Sequence, residues 1–390
     1  MRNAHMGKKR IAVIVPKYGL VGGGERFVYE VTERIAHEQQ FELHVLANRW
    51  KVAAESPVIF HKVPSISFPR FMRAFIFPWF AQRMVAAGGY DLIHSHDRIF
   101  KADIVSLHGF PHEQWIRDVR KKSPSLFDRG VIAVERCMIK NGVDTTFLPV
   151  SSLAMDSFHR TYPKLPGIWD IVPPGVDFTR FSSPSREECR TKIRKRHGIG
   201  DHDVLFLFVG MNFEVKGLEA IISGMAKAKK SRGDAKITLL VVGKGDKRKF
   251  TRIAVSLGIA ESVVFAGIME NGIEQYYRAA DVFVMLSAFD TFGMVVLEAM
   301  AAGLPSVISN TVGAKDLIEN GVNGFIIQDC TNTAAVADNF SSLLDAERRH
   351  RLGEAAQSTA EKFSWEHLAS RVVTVYQKHL TKKCSVGVTA

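Results

Sequence analysis

Asp290 and Glu298 are two carboxylates eight positions apart, with Phe292-Gly293 between them and the apolar Val295-Val296-Leu297 leading to the second. The apolar run 282–286 before them reads as a strand. The run 299–305, which ends in Gly303-Leu304-Pro305, reads as a helix stopped by Gly and Pro. Asp290, Phe292 and Gly293 therefore fall on a strand-to-helix loop, and Glu298 falls about one turn into the helix. In a parallel α/β sheet such a loop presents backbone N–H groups and the positive end of a helix dipole to an anion. Carboxylates beside an anion site suit a ligand that also offers hydroxyls, such as a nucleotide sugar.

Further groups suit the same ligand. Lys216 follows Gly210 in a loop after the apolar run 204–209, and is a cation for a diphosphate. Gly22, Gly23 and Gly24 end the first strand and open a helix, which allows close backbone approach to a ligand. His108 ends the apolar run 104–107; His94 and His96, from the preceding strand, are its rivals. A dinucleotide fingerprint is disfavoured. The turn at 19–24 lacks G-x-G-x-x-G, Gly243-Lys244-Gly245 lacks a third glycine, and the second strand ends at Asn48 without the acid that would hold a ribose.

The 290–298 segment resembles the E-x7-E motif of retaining GT-B glycosyltransferases, the family-four group, with Asp290 one methylene shorter than the usual Glu. The loop 209–217 resembles the family's V-G-R-x(4)-K-G. Lys216 fits, but Met211 stands at the Arg position, and Val215 departs from the related lipopolysaccharide core glucosyltransferase pattern V-G-S-D-F-x-R-K-G. Residues 263–267 resemble V-x-F-x-G, 276–281 resemble Y-x-x-A-D, and 174–177 resemble the P-N-G-V-D linker. The resemblance implies that Asp290 and the backbone of Phe292, Gly293 and Met294 face the donor sugar. It implies that Glu298 holds the ribose hydroxyls, that Lys216 neutralises the diphosphate, and that His108 acts near the reacting carbon. Gly22, Gly23, Gly210, Gly243, Gly267 and Ile268 join the expected donor-binding backbone, Ile268 reading the base. His108, Asp290, Glu298 and Lys216 are the expected catalytic residues; Tyr276 and Tyr277 are expected to be structural.

Two βα series must position these groups, one beginning at 11–15 and one at 204–209. The fold expected is α/β of GT-B type, two Rossmann-like domains facing a central cleft. Residues 1–180 form the acceptor domain, 181–364 the donor domain, and a helix over 365–380 crosses back to the first domain. Strands are expected at 41–46, 92–95, 104–107, 146–150, 237–242, 263–265, 306–308 and 324–326. Helices are expected at 26–36 and 131–140, and residues 182–197 read as polar and basic.

The 390 residues, 46% hydrophobic and 24% charged, fit a globular protein of ordinary core size. Cys137, Cys189, Cys330 and Cys384 form no C-x-x-C pair, which argues against a zinc site or disulfide framework and fits a reducing compartment. No signal peptide or membrane-spanning run is read. The net charge of +12 falls unevenly, with 25 Lys and Arg against 17 Asp and Glu in residues 1–180. No acid occurs between Glu55 and Asp91, where Lys62, Arg70, Arg73 and Arg83 interleave with aromatic rings. That segment reads either as an interfacial stretch on an anionic membrane or as a buried helix with its arginines outward. No nucleic-acid-binding module is found, despite the basic charge. The activity implied is transfer of a hexose, with retention, from a nucleotide sugar such as a UDP-hexose to an acceptor hydroxyl. The acceptor implied is lipopolysaccharide core or another envelope glycolipid. No cofactor is expected and no D-x-D metal motif lies in a suitable place, so metal-independent turnover is expected, in the cytoplasm or on the inner face of its membrane. A non-catalytic nucleotide- or glycan-binding protein on the same fold is the alternative.

Overall fold

The computed structural model describes residues 8–19, 22–65, 68–233 and 235–387, without the side chains of Arg70 and of residues 384–387. Leu20 and Val21 of the glycine-rich turn, and the Arg70 side chain, lie outside the described residues. The chain divides into two compact units, Met1–Gly175 with Trp365–Ala390, and Val176–Ser364. The stretch 176–180, placed by sequence with the first domain, thus belongs to the second unit.

The first unit contains β1 (Lys9–Ile14), β2 (Lys17–Tyr18), β3 (Phe41–Ala47), β4 (Arg49–Trp50), β5 (Ile59–Lys62), β6 (Leu92–Ser95), β7 (Ile104–Leu107), β8 (Thr146–Pro149) and β9 (Ile168–Trp169). Seven of these form a parallel sheet in the order β5-β3-β1-β6-β7-β8-β9. Ile11, Ala12, Val13 and Ile14 are all fully buried, because helices cover both faces of the sheet. Such a strand reads as a continuous apolar run and not as an alternation. The helix Gly23–His37 buries Phe27, Val28, Val31 and Ile35, one apolar stripe. Against it packs the last helix, Trp365–Gly387, which buries Trp365, Leu368, Val372 and Tyr376 and joins its Glu366 to Arg34 at 2.8 Å.

The second unit contains β10 (Val204–Met211), β11 (Ile237–Lys244), β12 (Val263–Gly267), β13 (Val282–Met285), β14 (Ser306–Ser309) and β15 (Gly324–Ile327). They form a parallel sheet in the order β12-β11-β10-β13-β14-β15. In both sheets the chain winds outward in two directions from the middle. The order therefore reverses between β1 and β6 in one sheet and between β10 and β13 in the other. Ligands of open α/β sheets bind at such points, beyond the C-terminal ends of the strands.

Three helices differ from expectation. Leu126–Lys140 begins five residues before the predicted start, because Ser125 and Asp128 form a capping box. Arg186–His197 is a helix within the stretch that reads as polar and basic. Arg190 and Arg194 dock it on Asp281 at 2.5 and 2.9 Å, and Asp281 also accepts the Leu205 N–H at 2.8 Å. Arg73–Gly88 divides the two readings of the acid-free segment. Ala74, Ile76, Phe77, Pro78, Ala81 and Val85 are buried, while Phe71 and Met72 in the preceding turn, and Arg73, Phe75, Trp79 and Arg83 in the helix, are exposed. Among the described residues no helix is long and apolar enough to cross a membrane.

Candidate active site

The switch point of the second sheet brings two loops side by side, one following β10 and one following β13. Lys216 from the first donates to Asp290 Oδ2 of the second, an ion pair across 74 positions of sequence. Asp290 is fixed from several directions. Its Oδ1 accepts the Phe292 N–H at 3.2 Å, its own N–H donates to Thr311 O at 3.1 Å, and its carbonyl accepts the Gly313 N–H at 3.0 Å.

Phe292 is placed differently from expectation. Its ring is 3% exposed and belongs to the core. Its N–H goes to Asp290, and its carbonyl accepts the Ala314 N–H at 2.6 Å. The amides of this segment left for a ligand are those of Gly293 and Met294, at the start of the helix Met294–Ala301, where N–H groups have no intrahelical acceptor. Gly293 has φ 88°, and a Cβ there would lie 2.9 Å from Met285 Cε and from Val312 Cγ1. Only glycine fits that conformation without strain.

Glu298 sits one turn into this helix, 9% exposed, with Oε2 accepting the Tyr277 hydroxyl at 2.9 Å. Tyr277 is fully buried against Phe181 and Phe283. Nothing in the sequence couples it to Glu298, because the two lie on different helices.

The ends of β10 and β11 approach closely. Gly243 has φ 128°, and a Cβ there would meet Gly210 O at 1.9 Å. A Cβ on Gly210 would lie 3.1 Å from Lys216 Cγ, so the glycine lets the Lys216 side chain lie over the strand end. Met211 is 55% exposed and stands in register with Lys244 of β11. Paired positions share a face of the sheet, so Lys244 is a cation beside the place of the missing Arg. Sequence reading missed it, since it needs the strand register. Gly267 ends β12 with φ 83°, followed by the exposed Ile268. Lys216, Lys244 and the helix N-terminus can together hold a diphosphate.

In the first unit Gly22 is the N-cap of the helix Gly23–His37 and accepts the Arg26 N–H at 3.0 Å. A Cβ on Gly24 would lie 3.4 Å from His108 Cβ, so the glycine turn and His108 are neighbours. His108 Nε2 lies 3.0 Å from His96 Nδ1, and Phe27 meets the His108 ring edge-on at 4.7 Å. Enclosure by protein holds the His108 imidazole down, to about 4. His94 is fully buried between Ser106 Oγ at 2.9 Å and Tyr376 OH at 2.8 Å, so both its nitrogens are occupied. His96 is nearly buried. Of the three candidates, His108 is the one with an exposed surface beside the glycine turn.

Residues 21–180 match the model for Glycosyltransferase Family 4, and residues 189–359 match that for Glycosyl transferases group 1. The chain is 32% identical over 211 residues to an uncharacterized glycosyltransferase of Methanocaldococcus jannaschii, covering 53% of each. It is 29% identical over 317 residues to the D-inositol 3-phosphate glycosyltransferase of Pseudarthrobacter chlorophenolicus, covering 77% of this chain and 73% of that one. It spans about half the length of several other curated relatives that it matches. Among solved structures it is similar to WaaG, a glycosyltransferase involved in lipopolysaccharide biosynthesis, with TM-score 0.76 and 22% identity, covering 94% of this chain and 99% of that one. The Anabaena protein HepE, solved with UDP and glucose, gives TM-score 0.70 and 18% identity, covering 95% of this chain and 100% of that one. The two family matches follow one another along the chain, and its fold is that of the GT-B glycosyltransferases.

Proposed function

We propose that the protein is a retaining glycosyltransferase that moves a hexose from a UDP-sugar to a hydroxyl of an envelope glycolipid, such as lipopolysaccharide core. The observation that carries this reading is the Lys216–Asp290 pair at a switch point, with a helix N-terminus and Glu298 beside it. Lys216 and the Gly293 and Met294 amides hold the diphosphate, Glu298 the ribose hydroxyls, and Asp290 the sugar. The acceptor oxygen attacks the anomeric carbon on the face from which the phosphate departs. One C–O bond forms and the sugar–phosphate C–O bond breaks. The nucleoside diphosphate leaves with the bonding electrons, and its phosphate oxygen takes the acceptor proton. Lys216 and the helix dipole stabilise the charge that develops on that leaving group, without a metal ion. Neutral His108 donates or accepts a hydrogen bond at a sugar hydroxyl near the reacting carbon.

HepE was solved with UDP and glucose, which supports a UDP-hexose as donor. A lipid acceptor is supported by the exposed rings of Phe71, Phe75 and Trp79, spaced four apart on one face, with Arg83 over the Trp79 ring at 5.6 Å. We place the working enzyme on the inner face of the cytoplasmic membrane. The test is transfer of labelled hexose from UDP-glucose and UDP-galactose to extracted envelope glycolipid, with the anomeric configuration of the product read by NMR. Absence of both UDP binding and transfer would overturn the reading; an inverted product would overturn retention.

A further inference from the structure

Asp281 precedes β13, at the opposite end of that strand from Asp290. Arg186, Arg190 and Arg194, four apart on one face of the helix Arg186–His197, reach its carboxylate at 3.7, 2.5 and 2.9 Å. Arg278 of the helix Ile273–Ala279 and Arg349 of the helix Ala346–Glu361 adjoin Arg186. A cavity of about 370 Å³ opens on this group, lined by Arg186, Glu187, Arg190, Thr191, Arg194 and Asp201. Arg194 is 2% exposed, and its Nε has no hydrogen-bond partner among the described residues.

Much of what holds these arginines is backbone. Arg186 donates to Ala280 O at 2.9 Å, Arg278 to Ala302 O at 3.0 Å and Arg349 to Leu343 O at 2.7 Å. Each of those carbonyls belongs to the C-cap of a helix. A helix C-terminus carries about half a negative charge. Asp281 and three such termini therefore set about two and a half negative charges against the five arginines. Other acids close by offset little of the excess. Asp203 accepts the Thr238 hydroxyl at 2.7 Å, Asp345 caps its helix through the Arg348 N–H at 2.7 Å, and Glu187 and Asp201 are exposed, where salt screens them. Burial, and after it the repulsion of neighbouring guanidiniums, holds Arg186, Arg194 and Arg349 below the usual arginine range, against the pull of Asp281.

We propose that this cavity binds the phosphate group of a soluble phosphate ester. Guanidinium forks match phosphate oxygens in pairs, and two negative charges match the excess that Asp281 and the helix termini leave. Arg186 and Arg190 are the contacts, and Arg194 adds its charge from the buried side. All six lining residues are polar, so the cavity has no wall for an acyl chain; the ligand is a free ester and not a lipid. The site is separate from Lys216, Asp290 and Glu298 and does not rest on the transfer reading above.

The experiment is calorimetric titration of the full chain with glycerol 1-phosphate at constant ionic strength, with glycerol as the neutral probe. Glycerol 1-phosphate is expected to bind saturably at one site per chain, and glycerol not to bind. Arg186→Gln should weaken the ester at least about tenfold, the loss of a bond to a charged group. Thr191→Glu, an exposed substitution on the cavity wall, should weaken it similarly by placing a carboxylate there, without disturbing the Ala280 contact. Lys216→Ala, in the donor groups, should leave ester binding unchanged. Absence of saturable binding, full affinity in Arg186→Gln or in Thr191→Glu, or equal binding of glycerol would each overturn the proposal. Loss of ester binding in Lys216→Ala would overturn it too, by placing the phosphate at the donor groups.

Discussion

The Tyr277 hydroxyl donates a 2.9 Å hydrogen bond to Glu298 Oε2, joining two helices of the second unit through a buried contact. The carboxylate assigned to the ribose is therefore held in one rotamer before any ligand arrives. Pre-ordering of this kind lowers the entropy cost of binding.

Two substitutions separate charge from orientation at Glu298. Glu298→Gln keeps an oxygen for Tyr277 but loses the charge-assisted bonds to the ribose, so UDP affinity should fall by about 1–3 kcal/mol. Tyr277→Phe removes only the orienting bond and should cost about 1 kcal/mol. Calorimetric titration with UDP ranks the two. Equal affinity in wild type and Glu298→Gln would remove Glu298 from the donor site.

The Lys216–Asp290 pair makes opposite predictions for its two members. Lys216→Ala removes the diphosphate's cation and leaves Asp290 without it, so UDP binding should weaken by about 1.5–3 kcal/mol, the range for bonds to charged groups. Asp290→Asn frees Lys216 for the diphosphate, so UDP binding should hold or tighten while turnover falls. Parallel UDP titrations and initial rates measure both. Weakened UDP binding in Asp290→Asn would show that the pair orders the loop more than it competes with the ligand.

Much of this site is legible in the sequence because it is local. Asp290, Gly293 and Glu298 lie on one strand–loop–helix, and their spacing alone places them. Lys216 is legible as a loop cation, but its ion pair with Asp290 depends on β10 and β13 being neighbours, a fact of topology. Tyr277 and Lys244 are invisible for the same reason. The helix Arg186–His197 hides because its inner face holds only Cys189 and Ile193 as apolar residues, beside arginines packed on Asp281. The helix Arg73–Gly88 is legible as one of two readings of the acid-free segment, but its bounds are not, because it is apolar on both faces and carries Pro78, so no 3.6-residue alternation marks it.

The buried histidines predict acid lability. Burial holds the His94 imidazole down, to about 3, and holds His96 well below its ordinary value. In the unfolded chain each titrates near 6.5. The unfolded state therefore binds more protons once the pH falls below about 6.5, and stability falls with pH until the folded values are reached. For His94 alone the loss by pH 5 is about 2 kcal/mol. Melting temperature should be flat from pH 8 to 7 and drop steadily from pH 6.5 to 4.5. His94→Gln should be less stable at neutral pH but show a shallower drop. A melting temperature that is flat to pH 4.5 would remove these histidines from the stability balance.

Chelation tests the stabilisation of the leaving group. With Lys216 and a helix N-terminus assigned to the diphosphate, turnover should persist in EDTA. Turnover abolished by EDTA and restored by magnesium or manganese would transfer that role to a metal ion.

The exposed face of Arg73–Gly88 predicts where the protein meets lipid. Phe71, Phe75 and Trp79 recur every four residues on it, and Met72, Arg73 and Arg83 flank them, all exposed. Each cation near an anionic surface contributes about 1 kcal/mol, and salt screens that contribution. Burying one large ring contributes about 1.5–3 kcal/mol and is not screened. The rings should therefore set residence on the bilayer, and the cations the preference for anionic lipid. Phe75→Ser with Trp79→Ser should release the protein from anionic vesicles at low and high salt alike, whereas Arg73→Glu with Arg83→Glu should release it mainly by abolishing the anionic preference. UDP affinity should be unchanged in both, since the residues proposed for the nucleotide lie in the second unit. Vesicle co-sedimentation at two salt concentrations reads all of this. A wild-type protein that stays in the supernatant at low salt would assign the ringed face to something other than a membrane.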